Sequence, residues 1–122
     1  MKNKSQLKKE LWKWFSLYIR KRDKWRCFTC GRLASGSGLH AGHFIAKSIG
    51  GLALYFNEDN VRAQCFNCNI NLGGNSYVFG QKLGPKMVKK LYALKGIETK
   101  WEINDYLTKI EYYKKLSTDS TW

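Results

Sequence analysis

No stretch of this 122-residue chain approaches the ~20 consecutive apolar residues that a membrane-spanning helix needs. The basic start, Met1 to Glu10, is not followed by an apolar segment with a small-residue cleavage site, so no secretory signal is expected. Internal repeats and linker-like stretches are lacking too, and the expected organisation is one domain over residues 1–122. Carboxylates are scarce: nine Asp plus Glu face 22 Lys plus Arg, a formal net charge of +13. Histidine is scarcer still, with only His40 and His43, so any imidazole chemistry falls to one of these two. The expectation is a chain kept in the cytosol, with no membrane partner and no small-molecule cofactor. Thiols stay reduced there, so the four cysteines suggest a metal site before disulfides.

What is present is cationic charge and aromatic mass. Hydrophobic residues make up 43% of the chain and aromatic residues 15%, enough for a folded core of modest size. The cationic excess repels itself in the compact state and attracts polyanions. Nucleic acid suits it best, because neutralised phosphates release condensed counterions. An anionic membrane would require an amphipathic anchor or a lipidation signal besides the charge.

Periodicity predicts a helix over Ser5 to Lys24. Leu7, Leu11, Trp14, Tyr18 and Trp25 recur at helical spacing, and Phe15 and Ile19 widen the stripe. The opposite face carries Lys8, Lys9, Lys13, Arg20, Lys21 and Lys24, candidate phosphate contacts within a basic segment 1–26. Leu39 to Ala46 reads as a strand, and Leu52 to Phe56 as its hairpin partner across the Gly50-Gly51 turn. Asn57 to Asn60 is a polar turn. A short helical turn is expected after Cys68, interrupted at Gly73-Gly74. Pro85 suits the first turn of a helix ending at Gly96. Thr99 to Glu102 resembles a capping box opening a last helix, with Ile103, Tyr106, Leu107, Ile110 and Tyr113 inward. The C-terminal helices thus occupy 76–116 and a loose tail 117–122.

Cys27-Phe-Thr-Cys30 and Cys65-Phe-Asn-Cys68 form two C-x-x-C knuckles. A knuckle delivers two thiolates to one ion, and two knuckles complete the tetrahedron that zinc prefers. Four cysteine ligands leave no open position, so a zinc ion here is structural. The interval between Cys30 and Cys65 has room for a whole β-hairpin. Both histidines lie in it, in Leu39-His-Ala-Gly-His43-Phe. Alternation along a strand puts His40 and His43 on opposite faces.

The order C-x-x-C, His, Asn60, C-x-x-C-Asn69 resembles the ββα-metal (HNH-like) nucleases, and the layout is similar to that of phage endonuclease VII. A closer resemblance, from about Leu7 to Leu116, is to the NinG/Rap recombination proteins of lambdoid phages. It rests on Leu11-Trp-Lys-Trp-Phe-Ser-Leu-Tyr-Ile-Arg-Lys-Arg-Asp23, Ala41-Gly-His-Phe44, Asn57-Glu-Asp-Asn-Val-Arg-Ala-Gln-Cys65 and Cys68-Asn69 with Gly74-Asn75. The resemblance implies an α+β fold with a ββα-metal core over residues 27–75, braced by one zinc site of four cysteines and flanked by helices. It implies a phage or prophage endonuclease acting on branched DNA, such as Holliday junctions, during recombination.

On that resemblance, His43 matches the general base that takes a proton from the attacking water. Asn69 matches an asparagine ligand to a catalytic divalent ion, Mg²⁺ or Mn²⁺, which supplements the structural Zn²⁺. Asn60 matches the central asparagine that pins the loop and orients the histidine. Hydrolysis would leave a 5′-phosphate and a 3′-hydroxyl. One position departs from the pattern: related nucleases place a metal-binding Asp just before the histidine, and here that residue is Gly42. His40, Asp59 or Asn75 are candidates for the missing ligand, His40 only if the strand bulges at Gly42. Asn75 equally suits a helix cap. Arg62 suits a phosphate grip or a plain surface role. Symmetric junctions suit two active sites and hence a homodimer. Competing readings are a zinc-braced DNA-binding protein without cleavage activity, favoured by Gly42, and an RNA-directed or restriction nuclease on the same scaffold.

Overall fold

A computed structural model describes residues 1–119 of the chain. It is a mixed α+β structure built on one long helix, α1 (Lys4–Arg22). Asn3 caps α1: its side chain accepts from the Gln6 amide at 2.9 Å, and the Gln6 side chain accepts from the Asn3 amide in return. Leu7, Leu11, Phe15 and Ile19, spaced by four, form the buried row. That row lies against α6 (Ile103–Thr118), through Tyr106, Ile110 and Tyr113, and against Phe56 and Val61. Each such buried side chain contributes ~1.5–3 kcal/mol by leaving water.

The predicted stripe is therefore rotated. Trp14 and Tyr18 flank the buried row, and Trp25 lies beyond the helix with φ +58°. Asp23 ends α1, and its carboxylate accepts from the Ala63 amide at 2.8 Å and pairs with Arg22 and Arg62, each at 3.0 Å. This anchor fixes the exit of α1 onto the sheet and turns the chain, through left-handed Lys24 and Trp25, into the first knuckle.

Among the described residues the sheet is one antiparallel pair, β1 (Leu39–His43) and β2 (Val61–Cys65), in regular register with Gly42 opposite Arg62. The expected partner strand at Leu52–Phe56 is instead helical. Two one-turn helices, α2 (Lys47–Gly50) and α3 (Leu52–Tyr55), fill the connection, and β2 is the true partner. A four-residue apolar run such as Leu-Ala-Leu-Tyr fits either state, and burial of Leu54 against Ile45 and Leu91 selects the helix. β1 also stops at His43, three residues before the expected end.

After Cys65 the chain makes a π-helical turn (Asn67–Asn71), then α4 (Ser76–Leu83) and α5 (Pro85–Tyr92). Gly73 and Gly74, with φ +58° and +96°, reverse the chain between the turn and α4. α6 begins one cap later than expected, at Glu102 with Asp105 answering it, in place of Thr99 with Glu102. Leu107, expected inward, is 47% exposed. The helix continues through Ser117, whose hydroxyl donates to the Trp14 carbonyl at 3.0 Å, so the tail is shorter than 117–122; residues 120–122 lie outside the described residues. Among the described residues no helix is long and apolar enough to cross a membrane.

Candidate active site

The two knuckles meet. The Sγ atoms of Cys27, Cys30, Cys65 and Cys68 all lie within 4.8 Å of one another, and those of Cys30 and Cys65 are 3.7 Å apart. Zn–S bonds of ~2.3 Å in a tetrahedron give sulfur–sulfur edges of about 3.8 Å. Backbone amides of Cys30 and Cys68 point at the sulfurs of Cys27 and Cys65, each at 3.5 Å. Burial pushes the Cys27 thiol up, but hydrogen bonds from Thr29 and from the Cys65 and Cys30 backbone overcome this and pull it down to about 6. The Cys30 thiol is pushed up to about 12, chiefly by burial. Thiolates packed this closely repel one another, and the cluster is one that can hold a structural metal ion such as zinc. The first knuckle also bonds to the sheet, Phe28 amide to Ala63 carbonyl at 2.8 Å.

The buried Asn60, 0% exposed, sits behind β1 and ties the loop that follows His43. Its Oδ1 accepts from the Ile45 amide at 2.8 Å, and its Nδ2 donates to the carbonyls of Ile45 and Leu54 at 3.1 and 3.0 Å. Asn60 thereby holds α3 next to β1. The carbonyl of Tyr55, the last residue of α3, accepts a hydrogen bond from Nε2 of His43 at 2.9 Å. A carbonyl can only accept, so Nε2 carries the hydrogen and Nδ1 keeps its lone pair. The imidazole stacks on Trp12, ring centroids 5.1 Å apart, and Tyr55 completes a three-ring cluster, 5.0 Å from His43 and 5.3 Å from Trp12. Burial, reinforced by the Lys47 charge and partly offset by the Tyr55 bond, pulls its pKa down to about 4.

His40 faces the other way, as alternation requires, and no bulge occurs at Gly42. It still meets Asn69: its Nδ1 lies 2.9 Å from Nδ2 of Asn69. His40 Nε2 donates to the Ser37 carbonyl at 3.1 Å, so Nδ1 of the neutral ring accepts from the Asn69 amide group. That turns Oδ1 of Asn69 towards Gly42. A Cβ built on Gly42 would stand 3.1 Å from this oxygen and 2.0 Å from Oε1 of Gln64. Gln64 is 0% exposed, and its Oε1 is the one fully buried side-chain polar atom without a partner among the described residues. Two carboxamide oxygens thus flank the bare face of Gly42 with no donor between them, a donor set suited to a small, hard cation.

A cleft of about 320 Å³ lies beside β1, lined by Trp12, Ser16, Arg20, Ala41, Lys47, His40 and Asn69. Trp12 also lines a second hollow of about 300 Å³ with Lys8, Lys9 and Tyr55. Arg20 and Lys8 therefore border the site, Lys8 with its ammonium over the Tyr55 ring at 4.4 Å. The other basic candidates diverge. Lys13 covers Trp14, Lys21 donates to the Ser117 carbonyl, Lys24 lies at the turn, and Arg62 is held by Asp23 and stacked 4.1 Å over Phe28. Asp59 pairs with Lys90 at 3.2 Å. Asn75 occupies the cap position of α4 in a left-handed conformation, its Nδ2 directed at Cys68 Sγ at 3.7 Å, so it belongs to the cysteine cluster rather than to the Asn69 side. Trp12, Lys47, Tyr55 and Gln64 join the site only in three dimensions. Trp12 and Gln64 both stand inside segments that carry the family resemblance, but neither stands out there as a site residue.

A comparison with protein families matches residues 1–120 to the family described as Bacteriophage Lambda NinG protein. The chain belongs to the NinG family. No curated protein and no solved structure matches it.

Proposed function

We propose that this NinG-family chain is a metal-dependent endonuclease for branched DNA in phage recombination, with a ββα-metal site assembled on β1, β2 and the π-helical turn. The observation that carries the reading is the Asn60 clamp: three bonds from one buried carboxamide hold the loop and α3, and α3 holds His43 with Nδ1 free. His43 is neutral at pH 7 and takes the proton of the attacking water at Nδ1. Tyr55 fixes the tautomer, and Trp12 fixes the ring plane. Asn69, oriented by His40, would hold a divalent ion of the Mg²⁺ or Mn²⁺ type. Such an ion supplies charge stabilisation at the phosphate and at the leaving oxygen. Arg20, Lys8, Lys9 and Lys47 line the approach with cations for the DNA backbone. Zinc in the four-cysteine cluster would join the first knuckle to the end of β2, keeping Asn69, four residues past Cys65, in place.

Gly42 favours a second reading, a DNA-binding protein without cleavage activity, because it offers no ligand. The test is incubation of a labelled four-way junction, a linear duplex and single strands with zinc-loaded protein and Mg²⁺ or Mn²⁺. Junction-selective, metal-dependent cutting supports the endonuclease; tight junction binding without cutting under either ion supports the second reading.

A further inference from the structure

Gly42 and Gln64 exclude each other's side chains. A Cβ at residue 42 would stand 2.0 Å from Gln64 Oε1 and 2.8 Å from its Cδ, far inside contact distance. The carboxamide of Gln64 therefore fills the space that a side chain on Gly42 would take. Its orientation is fixed. Nε2 donates to the Gly74 carbonyl at 2.7 Å and lies 3.2 Å from the Thr29 hydroxyl, and exchanging N for O would set two oxygens against each other across 2.7 Å. Oε1 is left aimed at the Gly42 face, fully buried and without a partner. A buried, unmatched acceptor costs ~1–3 kcal/mol unless something positive meets it. Asn69 does not supply a hydrogen, since its amide group is committed to His40 and it presents Oδ1 to the same spot.

We propose that Gln64 is an oxygen ligand of the catalytic divalent cation, entering from β2 with Asn69 and standing in for the acidic side chain that residue 42 lacks. This rests on the endonuclease reading and accounts for the departure at Gly42. A ligand has moved from β1 to the neighbouring strand, and glycine at 42 is what makes room for it. A neutral carboxamide in place of a carboxylate also lowers the negative charge of the ligand set, and with it the affinity for the ion.

Mn²⁺ affinity of the zinc-loaded chain, followed by electron paramagnetic resonance, tests this without reference to cleavage. Zinc content and a circular-dichroism melt establish folding for each variant. Gln64→Ala is expected to weaken Mn²⁺ binding by about tenfold or more. Gly42→Asp combined with Gln64→Ala is expected to restore it, because the carboxylate re-enters the vacated space. Should Gln64→Ala not fold, Gln64→Met decides: it fills the same space without a ligand oxygen and sets no oxygen against the Gly74 carbonyl, so binding is expected to weaken by about tenfold or more, and unchanged affinity overturns the assignment. If Gln64→Ala is folded and binds Mn²⁺ like wild type while Asn69→Ala does not bind, Gln64 is not a ligand and the endonuclease reading survives. If wild type takes up no Mn²⁺ even with junction DNA present, that reading fails and the Gln64 assignment fails with it.

Discussion

His43 donates from Nε2 to the backbone carbonyl of Tyr55 across 2.9 Å, and this single bond sets the tautomer that the ring presents. With its pKa pulled down to about 4, below the ~6.5 of an unfolded histidine, the folded chain binds fewer protons than the unfolded chain between those values. Stability therefore rises with pH through that window and is lost as pH falls from about 6.5 to about 4. Urea denaturation of zinc-loaded wild type at about pH 7 and about pH 4.5, beside His43→Gln, should show a loss in wild type larger by up to about 2–3 kcal/mol. Equal losses would mean that His43 is not buried as a neutral ring.

Asn60→Ala removes three hydrogen bonds and strands the Ile45 amide and two carbonyls in a buried site. The expected cost is about 2–4 kcal/mol by chemical denaturation. The variant should also lose cleavage at temperatures where it remains folded, because α3 no longer positions Tyr55. Full activity in a destabilised Asn60→Ala would separate the clamp from catalysis.

Zinc removal should unfold the chain in large part. The cysteine cluster ties the first knuckle to the end of β2, and structural zinc contributes ~10–16 kcal/mol of apparent binding energy in small zinc-finger peptides. A strong chelator should abolish the cooperative melt, and Cys30→Ser should lower the zinc content. An unchanged melt after complete zinc removal contradicts this role.

Much of this organisation is legible from residues. Leu7, Leu11, Trp14 and Tyr18 announce α1 by their helical spacing, although the buried row runs on through Phe15 and Ile19, and the paired knuckles announce a cluster that can hold a metal ion. The hairpin partner is not legible in the same way. Leu52–Tyr55 is too short for its period to be diagnostic, while Val61–Cys65 carries two polar residues, Arg62 and Gln64, that the fold draws inward through Asp23, Thr29 and Gly74. Gln64 does not stand out in the sequence, because its meaning lies in an unpaired oxygen facing a glycine on another strand. The basic residues of α1 look alike in sequence. Only packing separates Lys8 and Arg20, at the cleft margins, from Lys21, which is bonded to the end of α6.

Binding should weaken steeply with salt, each phosphate contact contributing about 0.9 to the slope of log K against log salt on duplex arms. Replacing Lys8 and Lys9 with glutamine should reduce that slope by up to about two, whereas Lys13→Gln, away from the cleft, should leave it nearly unchanged. Equal slopes for all three proteins in fluorescence anisotropy would remove the α1 margin from the interface.

Hydrolysis of branched DNA with His43 as the base is tested most directly by the single-turnover cleavage rate of a labelled four-way junction with Mg²⁺ or Mn²⁺. Wild type is set against His43→Ala at saturating protein, so that DNA occupancy is equal. Metal-dependent cutting by wild type and a fall of about 10²–10⁴ in the variant are expected. A His43→Ala variant that is folded, zinc-loaded and cuts at the wild-type rate would contradict the role of His43 as the general base.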